Sequence, residues 1–154
     1  ATNTHEDIAF MNAEGFLTPD SLYMVNAAEL TIEQIKSIPD RFDTEGLVVE
    51  QHEVASTDGT MIPYFVVRRE DVPMDGTTPT LLYAYGGFQV SLTPSYSGTR
   101  GRMWLENGGT YVLANIRGGG EFGGREAVGR RHEGVCARAT GCERTQQRAP
   151  TDSA

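Results

Sequence analysis

The chain has 154 residues, 38% of them hydrophobic, and a formal net charge of −8 at pH 7. That length suits one ordinary domain, and no stretch is apolar for long enough to cross a bilayer or follows a basic-then-apolar signal pattern. The acids gather in residues 1–124, and an acidic body repels phosphate backbones, which argues against nucleic acid as a partner.

Residues 1–44 mix short apolar runs with turn residues. Phe16-Leu17-Thr18-Pro19-Asp20 is a turn-bearing entry, and Ser21 to Val25 predicts a short strand. Glu29 to Ile38, with Leu30, Ile32 and Ile35 apolar, predicts one or two helical turns stopped by Pro39-Asp40. This stretch reads as a connector or the end of an all-β unit. The chain opens at Ala1 without an initiator Met, which suggests an interior segment or a processed chain.

Residues 45–124 carry stronger signals. Leu47–Ala55 and Met61–Val67 are two runs of β-formers, and the Asp58-Gly59 pair between them is a reverse-turn signal, so a β-hairpin is predicted. Asp71 to Pro79 is a polar loop. The pattern then changes: Thr80–Tyr85 and Tyr111–Ile116 are continuous apolar runs, as expected of strands buried on both faces. Between them, Ser97–Asn107 predicts a helix of about three turns presenting Met103, Trp104 and Leu105 and closed by Gly108-Gly109. Strand, helix, strand is a βαβ unit with parallel strands. A hairpin followed by such a unit predicts an α/β domain whose parallel sheet has an antiparallel edge.

Residues 125–154 differ in kind. After Phe122 there is no Leu, Ile, Met, Phe, Tyr or Trp, and half of the arginines of the chain lie here. Such a segment buries too little apolar area to offset an ordering cost of roughly 1–2 kcal/mol per residue, and it is expected to be disordered or loosely helical. Its two cysteines, Cys136 and Cys142, fit no common zinc spacing and make no disulfide framework. No metal or cofactor is expected.

Two glycine-bearing loops are candidates for chemistry. Tyr85-Gly86-Gly87-Phe88 lies at the C-terminal end of the first apolar strand, where ligands of open α/β sheets bind. Its glycines leave backbone N–H groups unobstructed, and in the α/β-hydrolase plan this loop supplies part of the oxyanion hole. The bland alternative is a tight turn with both tyrosines in the core. At the end of the second apolar strand, Gly118, Gly120 and Gly123 formally satisfy G-x-G-x-x-G, so a small dinucleotide-binding module is an alternative function, and a non-catalytic remnant is another. Against it, the acid due about twenty residues later would be Glu143, with no second buried strand to carry it. The bland reading is a crossing loop in which Arg117 and Glu121 pair locally. His5, His52 and His132 are far apart, and His52 reads as a partly exposed strand residue. No G-x-S-x-G occurs, so a Ser-His-Asp triad cannot be assembled from this sequence.

Three blocks in order carry a resemblance. They are Ser56-Thr57-Asp58-Gly59-Thr60-Met61-Ile62-Pro63, Pro79 to Phe88, and Ala114-Asn115-Ile116-Arg117-Gly118-Gly119-Gly120-Glu121-Phe122-Gly123. Together with Leu92-Thr93-Pro94, Trp104 to Gly109 and Phe16 to Pro19, they resemble the prolyl oligopeptidase family over roughly residues 8–123. Tyr-Gly-Gly-Phe fits the prolyl oligopeptidases better than the related oligopeptidase B.

The resemblance implies a serine peptidase that cleaves short peptides after proline, cytoplasmic or periplasmic, with a β-propeller guarding an α/β-hydrolase domain. It divides the chain into a propeller end and connector (1–44), the N-terminal part of a partial α/β-hydrolase domain (45–124), and the atypical tail (125–154). Tyr85 would donate its hydroxyl to the oxyanion, and Gly86, Gly87 and Phe88 would contact substrate, Phe88 lining the pocket for the proline ring. The family's nucleophile, aspartate and histidine lie further along than this chain reaches. The chain is therefore expected to be a fragment, inactive alone, whose full-length parent takes proline-containing peptides. The departure begins just after Gly123, and a shifted reading frame or an artificial end would produce such a change.

Overall fold

Runs of β-branched and aromatic residues bounded by turn residues dominate the chain, and its fold follows from them. A computed structural model describes residues 6–121. Among the described residues, seven strands form two sheets. β1 (Ile8–Ala13), β2 (Ser21–Asn26) and β3 (Thr31–Ser37) make an antiparallel meander. The second sheet has the order β4-β5-β7-β6, built from β4 (Leu47–Ala55), β5 (Met61–Arg69), β6 (Thr80–Ala84) and β7 (Thr110–Ala114). β4 and β7 flank β5 antiparallel, while β6 pairs with β7 in parallel.

The predicted hairpin forms with Ala55 opposite Met61. Gly59 takes φ 83°, Gly59 N donates to Ser56 O at 2.9 Å, and Thr60 N donates to Asp58 Oδ1 at 3.1 Å, so Asp58 and Gly59 perform the turn for which they were read. The helical part of the crossover from β6 to β7 is short. α1 (Gly98–Arg100) runs directly into a π-helical turn (Gly101–Leu105). Ser97 Oγ caps the start by accepting from Arg100 N at 3.3 Å, and Glu106 N reaches back to Gly101 O at 3.0 Å. Gly108, at φ 81°, ends it, with Gly109 N donating to Trp104 O at 3.0 Å.

Three expectations need correction. Residues 29–38 are not helical: β3 occupies the stretch because Asn26 Oδ1 accepts from Ala28 N and Glu29 N, closing a turn, and Leu30 at φ 54° reverses the chain. The 97–107 helix is two short turns, and of the three apolar residues it is expected to present, Leu105 is buried whereas Met103 is exposed. β6 is not covered on both faces. It is an edge strand among the described residues, with Leu81 46% and Tyr83 49% exposed, whereas every residue of β7 is buried. A cavity of about 520 Å³ lies over that face, lined by Leu81, Tyr83, Leu92, Met103, Trp104 and Leu113 among others.

The core joins both parts of the chain. Phe16, Phe42, Val67, Leu105, Tyr111 and Leu113 form one buried cluster. Phe16 meets Phe65 and Tyr111 at 5.5 and 6.0 Å between ring centroids, and Phe42 stacks on Tyr96 at 5.1 Å. Arg100 lies over the Tyr111 ring at 4.2 Å. The β1–β2 connection, through Phe16, and the β3–β4 linker, through Phe42, are thereby pinned to the second sheet. The expected disorder of residues 125–154, the two cysteines and Gly123 lie outside the described residues.

Candidate active-site loop

β6 and β7 run parallel, so their C-terminal ends open on the same side and the loops that follow them meet there. The loop after β6 is Tyr85-Gly86-Gly87-Phe88-Gln89. Tyr85 is 38% exposed, and its ring lies close over Gly87, where an added Cβ would sit 3.2 Å from Cζ and Oη. Among the described residues its hydroxyl makes no hydrogen bond, which leaves it free to donate. Phe88 is 94% exposed. Phe88 and Gln89 both take left-handed backbone, at φ 52° and 57°, a conformation that costs non-glycine residues roughly 1–3 kcal/mol each. Strain of that kind persists only where surrounding structure imposes it. With Tyr83 and Tyr85 both at the surface, the alternative of two core tyrosines does not hold.

The loop after β7 imposes it. A Cβ on Gly86 would meet Arg117 O at 2.3 Å, and one on Gly118 would meet Gly86 O at 2.1 Å. A Cβ on Gly120 would meet Gln89 O at 2.3 Å. The glycine run therefore lets one loop lie against the other backbone to backbone, and Gly118 also needs its glycine for φ 94°. Gln89 N donates to Gly118 O at 3.3 Å.

Arg117 and Glu121 do not pair, so the bland reading of this loop, a local Arg117–Glu121 ion pair, does not hold. Arg117 reaches back to the β4–β5 turn, donating to the Asp58 carboxylate, to Ser56 Oγ at 2.9 Å and to Thr60 Oγ1 at 3.4 Å. The guanidinium and a further hydrogen bond from Thr60 N hold the Asp58 carboxyl down at about 2. Glu121 Oε1 accepts instead from Leu92 N at 2.8 Å and Asn115 Nδ2 at 3.0 Å. The Arg117–Asp58 tie spans 59 residues of sequence, so no spacing rule marks it. His52 lies on β4, partly exposed, its ring beside that of Tyr64. Among the described residues no group of three or more His, Cys, Asp or Glu could hold a metal ion, and no helix is long and apolar enough to cross a membrane.

Models of protein families give no match to the chain. Individual relatives do, and they are peptidases. An uncharacterized peptidase of Sinorhizobium fredii is 54% identical over 123 residues, covering 80% of this chain and 17% of the relative. The prolyl endopeptidase of Elizabethkingia meningoseptica is 38% identical over 120 residues, covering 78% of this chain and 17% of the enzyme. A solved structure from a study of two prolyl endopeptidases superposes with a TM-score of 0.73 at 38% identity, over 80% of this chain and 18% of that one. Over this stretch the chain belongs to the prolyl oligopeptidase family. It spans about a sixth of the length of the relatives it matches.

Proposed function

We propose that residues 45–121 are the oxyanion side of a serine peptidase site that hydrolyses short peptides after proline. The observation that carries this reading is the loop at the C-terminal end of β6, with the Tyr85 hydroxyl unengaged among the described residues and Phe88 projecting. In acyl transfer the scissile carbonyl becomes an oxyanion, and a phenol aimed at that oxygen stabilises it as charge develops. Gly86 and Gly87 leave room for the peptide backbone, and Phe88 offers an aromatic wall to a proline ring. The names of the relatives support the same substrate class.

On this reading 45–124 is the N-terminal part of an α/β-hydrolase domain, and 1–44 is the end of a propeller with its connector. The parent protein would be cytoplasmic or periplasmic. No serine here sits in a nucleophile elbow, so the chain alone is inactive and the site needs a nucleophile from elsewhere. The glycines of 118–120 are engaged with the neighbouring loop, and no observation favours a nucleotide there.

A chimera tests the proposal: residues 45–121 replace the matching segment of the Elizabethkingia meningoseptica prolyl endopeptidase. Hydrolysis after proline is expected to persist. Tyr85→Phe in that chimera should lower kcat by about 10²–10³ with little change in KM, the loss typical of one oxyanion donor. Full activity of the Tyr85→Phe chimera would sink the assignment, as would labelling of a serine in the isolated chain by a fluorophosphonate.

A further inference from the structure

Between Gly86 and Leu92 the chain forms no regular element. Among the described residues, its hydrogen bonds to the rest of the fold run to residues 115–121. Asn115 Nδ2 donates to Leu92 O at 2.7 Å and to Glu121 Oε1 at 3.0 Å, and the same carboxylate oxygen accepts from Leu92 N at 2.8 Å. Both backbone polar groups of Leu92 are thus taken by two side chains. Earlier in the segment, Gln89 N is held by Gly118 O.

Neither side chain is placed to touch a substrate. Asn115 is 5% exposed, and Glu121 Oε2 is buried with no hydrogen-bond partner among the described residues. A Cβ on Gly119 would lie 1.9 Å from Oε2, so the backbone of the glycine run covers this oxygen. Leaving one carboxylate oxygen buried without a partner costs stability, and the arrangement gains by it only a fixed Leu92. The two left-handed residues, Phe88 and Gln89, lie three to four residues before that fixed point.

We propose that Asn115 and Glu121 are positioning residues: a clamp that holds the Tyr85–Phe88 loop in the conformation that presents Tyr85 and Phe88. The purpose of the clamp rests on the peptidase reading of that loop, but its test does not. Glu121 acts as an acceptor, so Glu121→Gln keeps the function through its amide oxygen, whereas Glu121→Ala removes it. Asn115→Asp keeps the volume and removes the donor.

Amide hydrogen exchange followed by NMR on the full chain reads the clamp directly. In Glu121→Ala and in Asn115→Asp, the Leu92 and Gln89 amides are expected to exchange at least about tenfold faster, with the Val112 amide in the buried strand β7 unchanged. Glu121→Gln should stay within about threefold of the parent. The proposal is overturned if Leu92 and Gln89 keep their parental rates in both variants, or if Glu121→Gln opens the loop as far as Glu121→Ala. It is equally overturned if Val112 accelerates in step, since the pair would then support the whole sheet rather than position a loop. The peptidase reading stands or falls separately, on Tyr85→Phe, which leaves Asn115 and Glu121 intact.

Discussion

At the scale of single residues, Arg117 connects parts that the sequence keeps far apart. Its guanidinium, with the side chain 12% exposed, binds the β4–β5 turn, while its carbonyl oxygen packs against Gly86 in the candidate loop. The Asp58 carboxyl, held at about 2 in the folded chain, titrates near 3.9 when unfolded. A folded value below the unfolded one contributes stability that is complete above the unfolded value and lost as pH falls toward the folded one. Asp58→Asn is therefore expected to melt below the parent at about pH 6, with the gap closing between about pH 4 and pH 2. Thermal melts of both proteins across that range check it, and a gap that persists unchanged at pH 2 would refute the ion-pair account. The Asp58-Gly59 turn was legible because its chemistry is local. The partner of Asp58 was not, because a contact across 59 residues leaves no periodic trace.

At the scale of elements, local patterns were legible where neighbours agreed with them. The hairpin, β2 and the parallel pairing of β6 with β7 follow from runs of β-formers and their punctuation. Residues 29–38 misled because Leu30, Ile32 and Ile35 fit helical spacing, while Asn26 and the left-handed Leu30 decided for a turn and a strand pairing with β2. Phe16 and Phe42 stand outside every regular element, so no periodicity marked them as core. Phe42 also explains the crossover. An added Cβ on Gly101 would lie 2.0–2.4 Å from the Phe42 ring, so the start of the π-helical turn is a seat for that ring. Gly101→Ala gains helix propensity but must displace Phe42 from the cluster, and overpacking of this kind costs about 1–3 kcal/mol. A lowered denaturant midpoint is expected; a midpoint equal to or above the parental one would show that propensity wins and that the ring is not seated as tightly as the contact implies.

At the scale of the whole molecule, the second sheet is asymmetric. On one side β4 ends it with Glu50, Gln51, His52 and Glu53, polar groups that discourage another strand. On the other side β6 offers an unpaired edge among the described residues, with Leu81 and Tyr83 half exposed beside a cavity of about 520 Å³. An apolar strand with a free row of backbone donors and acceptors is a template for a second chain, and no charge on β6 blunts it. The isolated chain is therefore expected to self-associate as its concentration rises. Leu81→Lys places a charge on the exposed face of that edge, at a position already 46% open to solvent, so it should cost the fold little. Sedimentation velocity at matched concentrations should show the parent shifting to larger species while Leu81→Lys stays monomeric. A parent that sediments as a monomer and melts in one sharp cooperative step would overturn the prediction, and a Leu81→Lys variant that associates as readily as the parent would move the sticky surface away from β6, toward the exposed Ile32 and Ile35 of β3.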